Sequence, residues 1–235
     1  MQQQTSSAHA GVHDRREGGA SRPGTTEVVS LLTVAGDSAL ECVRRSTVFR
    51  RMAGGTLPFA GRAAYLEQHW EGLRILRSAL ATPGLDIDPA AAASLLSALA
   101  AATDQFSGAL DRAHATARWR ERHVTMPSML QFRRHIAELQ DKGDTVGLVA
   151  HTYLRLLVSR ACPAPAAQGG EPRALYGAVA AVVQDEETLE QLSEELSVAL
   201  LLLMQHGADV CRGYHERDAD SGCAVTVSTI RRALR

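Results

Sequence analysis

Ala150-His151-Thr152-Tyr153-Leu154-Arg155-Leu156-Leu157-Val158-Ser159-Arg160-Ala161-Cys162 is the stretch on which the reading of the fold turns. Gly143 just upstream suits a helix end, and Asp144 or Thr145 suits the cap of the next helix. Pro163, just downstream, removes a backbone donor and stops a helix. The pattern between them predicts a helix over about 146–160.

Working outward from this segment, the periodicity is helical almost throughout. Val28, Leu31, Leu32, Ala35 and Ala39 form a first amphipathic segment, which continues through Val43 to Met52 and stops at Gly54-Gly55. A second helix is expected over about 60–80, with Tyr65, His69, Leu73 and Leu76 on one face. Asp88-Pro89 opens an Ala/Leu-rich helix, with aspartate as cap and proline in the first turn, running to Thr103 and continuing toward Arg120. Ser128 is expected to cap a helix over 129–142. A helix over about 173–183 follows the loop containing Pro163, Pro165, Gly169, Gly170 and Pro172. Asp185 caps the last long helix, about 187–211. No sustained alternation of apolar and polar residues marks a sheet, although Val225–Ile230 could form a short extended piece. The expectation is one all-α domain, a single-domain bundle of seven or eight helices over 27–212. A polar N-terminal tail, 1–26, reads as disordered, and 213–235 reads as a C-terminal tail.

Composition narrows the function classes. The 235 residues carry a formal net charge of −1, so no basic excess points to nucleic acid. Of the 25 basic residues only Lys142 is lysine, a bias of GC-rich coding that carries no function. The strongest apolar run, near Val198–Met204, falls well short of the roughly 20 residues of a membrane span. The N-terminus lacks the apolar core of a signal peptide, and a cytoplasmic location is expected. Cys42, Cys162, Cys211 and Cys223 do not make a disulfide framework. Cys211, His215 and Cys223 lie close together but match no standard zinc spacing, and read as a helix end with a tail. The charge run Glu186–Glu195 reads as a solvent-facing surface.

Five segments, in order, resemble the heme oxygenase superfamily. They are Thr47–Met52 with Gly55-Thr56-Leu57; Gly61–Leu76 with Tyr65, Leu66, Gln68 and Trp70; Met126-Pro127-Ser128 with Phe132; Ala150-His151-x-Tyr153-x-Arg155-x-Leu157; and Leu189–Asp209. The resemblance covers about 28–209 and implies a heme-oxygenase-like helical fold. In that family heme lies between the first helix, which supplies an axial histidine, and a distal helix. The position matching the axial histidine is Glu41, with Cys42 beside it about 100° around a helix. The family's distal glycines, which let the backbone approach the heme, fall on Val158, Cys162 and Pro163, and its distal aspartate falls on Ser159. Tyr153 and Arg155 match heme-contact positions; His151 also matches, but that residue is not the iron ligand in the family.

The resemblance with these departures implies a degenerate member that has lost heme cleavage and acts as a binding or regulatory module. Its partner would be heme, if the pocket is retained, another apolar small molecule, or a protein. The alternative is an active heme oxygenase yielding biliverdin, carbon monoxide and ferrous iron. A second alternative is a non-heme metal enzyme drawing ligands from Glu41, Glu67, His69, Glu71, His135, Glu138 and His151.

Overall fold

The computed structural model describes residues 24–162 and 173–214. The expected N-terminal tail up to residue 23, the Pro163–Pro172 loop, and His215, Cys223 and Val225–Ile230 lie outside the described residues. Within them the protein is entirely helical: α1 (Thr25–Arg45), α2 (Thr47–Ala53), α3 (Phe59–Leu80), α4 (Pro89–His114), α5 (Trp119–Arg122), α6 (Pro127–Asp141), α7 (Thr145–Ala161), α8 (Arg173–Ala180) and α9 (Glu186–Gly213). The expectation of seven or eight helices misses a break and a short turn. Ser46 adopts an extended conformation between α1 and α2, and its hydroxyl accepts from Phe49 N. The single turn of α5 carries Trp119 into the core.

α7 is the centre of the molecule. Every residue from Thr145 to Ser159 is buried, and the helix packs against α1, α3, α4, α6, α8 and α9. A helix surrounded on all sides must be apolar nearly all round, which explains why its sequence lacks a solvated face. Asp144 caps it by accepting from Gly147 N at 2.8 Å. Gly143, at φ +67°, makes the tight reversal from α6 into α7, a conformation in which a side chain is strained. Asp88 and Asp185 cap α4 and α9 as expected, Asp185 with a reciprocal Thr188 bond.

Ser128 does not cap α6. The helix begins two residues earlier than expected, at Pro127, and Ser128 N donates instead to Asp209 Oδ2 at 2.8 Å, tying α6 to α9. Among the described residues no helix is long and apolar enough to cross a membrane.

Candidate functional site

One stripe of α7 is polar. His151, Arg155 and Ser159 recur at helical spacing, continued by Cys162 at the end of the helix, and all four are buried. At the N-terminal end of the stripe His151 meets residues from two other helices. His135 of α6 and His151 each bring Nε2 to the same oxygen, Oε2 of Glu195 on α9, at 3.0 and 3.2 Å. Ligand atoms of the three residues lie within 4.8 Å of one another. The tight α6–α7 reversal sets the two histidines side by side. Gln191, one turn before Glu195, donates to Asp144 Oδ2 at 2.8 Å and fixes the register of α9 against the start of α7.

The cluster is graded in exposure: the His151 side chain is 1% exposed, Glu195 17% and His135 25%. Burial pushes the His151 imidazole below its ordinary range despite the hydrogen bond to Glu195. The same hydrogen bond, from His151 first and then from His135, holds the Glu195 carboxyl below its ordinary range against the cost of burial. The result is an ionised carboxylate facing an imidazole kept neutral, the protonation states in which both groups bind metal ions.

One turn along α7, Arg155 is 1% exposed, and none of its three guanidinium nitrogens has a hydrogen-bond partner among the described residues. Its Cζ lies 4.6 Å from the centre of the Phe132 ring. On the other side it packs against Gly72, where an added Cβ would stand 2.7 Å from Cζ. Burial pulls its pKa down to about 10. Around it sit His69 and His206, both kept neutral by burial first and by the Arg155 charge second. Neither His69 ring nitrogen has a partner among the described residues; its ring stacks on Phe106 at 5.7 Å instead. The hydroxyls of Ser128 and Ser159 are likewise buried without partners among the described residues. Cys162 lies against Tyr65, and burial pushes its thiol up to about 12, which makes it a poor nucleophile.

The acidic residues of α3 are engaged elsewhere. Glu67 pairs with His114 at 2.8 Å, yet burial still raises its pKa. Glu71 is also raised by burial, but His123, Arg133 and Thr125 outweigh that and hold it below its ordinary range. The Glu71 hydrogen bond in turn raises the His123 pKa. Glu71, His123, Thr125 and Arg133 line an open groove of about 390 Å³ between α3 and α6, together with Arg74 and Gln140. Of the seven residues considered as metal ligands, only His135 and His151 belong, among the described residues, to a group of three side chains close enough to share an ion. Glu138 is exposed, and His69 is enclosed among aromatic rings. Glu195, the third member of the cluster, stands within a run read as solvent-facing; its sequence signal is its place beside the inward stripe Leu192, Leu196 and Ala199.

The opposite face of α7 meets α1. Tyr153 donates to Leu32 O at 2.9 Å. Gly36 lies so close that an added Cβ would be 2.8 Å from Tyr153 Oη and 3.0 Å from Leu157 Cδ2. Val158 is fully buried. The residues matched to heme positions are thus divided: Tyr153 enters the α1 seam, whereas Arg155 points to α3 and α6. Glu41 is exposed and pairs with Arg45 at 2.6 Å, and Cys42 is exposed as well. Neither Glu41 nor Cys42 faces α7, because the inward stripe of α1 is Val28, Leu32, Gly36, Ala39 and Val43. The residues present do not fit a heme held between these two helices. No family model matches the sequence, and no curated protein sequence is similar to it.

Proposed function

We propose that the chain is a heme-oxygenase-like helical bundle that has lost heme cleavage and works as a binding or regulatory module. The closed seam between α1 and α7 carries this reading. The Tyr153–Leu32 hydrogen bond and the Gly36 contact occupy the space that a macrocycle would need, and Glu41 offers no ligand there. Ser159 supplies neither the charge nor the proton network of an aspartate. An active heme oxygenase is the poorer reading on all three counts.

Hemin titration followed by absorbance tests it, on the natural chain and on Glu41→His. Neither protein is expected to develop a stoichiometric Soret band, because residue 41 faces solvent. A one-to-one Soret band that shifts with Glu41→His would show that the seam opens to take heme, and would overturn the reading. The non-heme metal reading is favoured by a separate observation, the convergence of His135, His151 and Glu195.

A further inference from the structure

We propose that His135, His151 and Glu195 bind one divalent first-row transition-metal ion through both imidazole Nε2 atoms and the Glu195 carboxylate. This names a ligand for the module proposed above, but it rests on the three side chains and not on the family resemblance.

The geometry is close to what an ion requires. Ligand bonds of about 2.1 Å in a tetrahedral site place the donor atoms about 3.4 Å apart. The two histidine-to-carboxylate separations here are 3.0 and 3.2 Å and all three donors lie within 4.8 Å of one another, so an ion needs only a modest rearrangement of the ligands. Three helices, α6, α7 and α9, each contribute one donor, so the ion would cross-link the centre of the bundle. Two neutral nitrogens with one carboxylate suit zinc, iron or cobalt better than calcium or magnesium, which favour oxygen. His151 forms the enclosed floor, whereas His135 and Glu195 stand at the partly exposed rim. An ion therefore has a route in from solvent. Three protein donors also leave at least one coordination position for water or a small ligand, as in catalytic rather than structural sites.

The competing account is a metal-free bridge. A carboxylate only accepts hydrogen bonds, so in the metal-free state each Nε2 carries a proton and donates to Oε2. Metal binding requires each ring proton to sit on Nδ1, freeing the Nε2 lone pair. The bridge alone ties α6, α7 and α9 together and needs no ion. The two accounts differ in whether a titrated metal stops at one equivalent and in which residues it depends on.

The full-length protein, stripped with a chelator, would be titrated with Co2+ by visible absorption and with Zn2+ by calorimetry. The expected result is one equivalent of metal, with cobalt ligand-field bands and no thiolate charge-transfer band. Glu195→Gln keeps the shape of the side chain but removes its charge, and His135→Gln alters the partly exposed rim with little effect on packing. Each is expected to weaken binding by at least about 100-fold, since even outer-shell changes cost 10–100-fold. Both variants would first be shown to be folded by circular dichroism. Cys211→Ser is expected to leave affinity unchanged. Absence of a one-equivalent site in the natural chain overturns the proposal. So does binding that survives both substitutions, or a thiolate band lost in Cys211→Ser, which would move the ion to the C-terminal cysteines. A hemin result of either kind leaves these outcomes intact, so the two readings fail separately.

Discussion

α7 has two inner faces that obey different physics. Toward α1 it presents Tyr153 and Leu157, packed against Leu32 and Gly36 with the one polar atom satisfied. Toward α3, α6 and α9 it presents His151, Arg155 and Ser159, equally buried but polar, with the Arg155 guanidinium and the Ser159 hydroxyl unpaired among the described residues. Burial is therefore no guide to which face stabilises the fold. Apolar burial contributes stability, whereas an unpaired buried charge costs several kcal/mol that packing elsewhere must offset. A face kept polar at such a cost is where a functional explanation belongs.

The largest expected effect comes from breaking the apolar face. Leu157→Ala removes a buried side chain from the seam and leaves a hole that Gly36 has no side chain to fill. It should lower unfolding stability by about 2–5 kcal/mol, read as a reduced urea midpoint. A loss below about 1 kcal/mol would mean that α1 and α7 close over the gap, and that the seam is softer than its contacts indicate.

The polar face should respond in the opposite direction. Arg155→Met keeps a long, flexible side chain between Phe132 and Gly72 and removes a charge with no hydrogen-bond partner among the described residues. Replacing buried ionic groups with apolar residues of similar size is often neutral or stabilising by about 1–4 kcal/mol. A gain in that range is expected, again from the urea midpoint. A clear loss would show that Arg155 has a favourable partner in solution, such as a bound anion or ordered water.

The same contrast decides what could be read from the sequence. The helix starts at Asp88, Asp144 and Asp185 and the reversal at Gly143 were legible, because caps and positive-φ turns are local chemistry. Tyr65, His69, Leu73 and Leu76 were legible as one buried face, because helical spacing alone puts them there. Glu41 was aligned to a heme ligand by resemblance, yet the Val28–Leu32–Ala39 periodicity already turns it outward. Glu195 was lost in a charged run because it lies at the edge of an apolar stripe. Only the partners across the interface, His135 and His151, determine that it turns inward. Arg155 was legible as a position but not as an unpaired charge, since an arginine in a helix says nothing about what surrounds its guanidinium.

Acid titration gives the smallest signal and the sharpest separation of the two faces. His69, His151 and His206 have folded-state pKa values lowered by burial. Below their unfolded value of about 6.5 the unfolded chain takes up protons that the folded chain refuses, so stability falls as pH drops. Each histidine held neutral contributes up to about 1.4 kcal/mol per pH unit to that slope. His123 is shifted the other way, so its stabilising contribution is fully present below about 6.5 and adds no slope there. The Glu71 and Glu195 contributions are lost only as pH falls further, below about 4.5, through their lowered values. Between about pH 6.5 and 4.5 the slope therefore belongs chiefly to the polar-face histidines. Glu67, raised by burial, opposes it between about 4.5 and its raised value. His69→Phe replaces a ring with a ring against Phe106, and should flatten the slope by one histidine's share, up to about 1.4 kcal/mol per pH unit. Leu157→Ala should lower stability by the same amount at every pH in this window, because nothing in the seam titrates there. Urea midpoints measured across the window check both. Parallel curves for the natural chain and His69→Phe would mean that His69 reaches a proton despite its burial, through water that enters the polar face but not the seam.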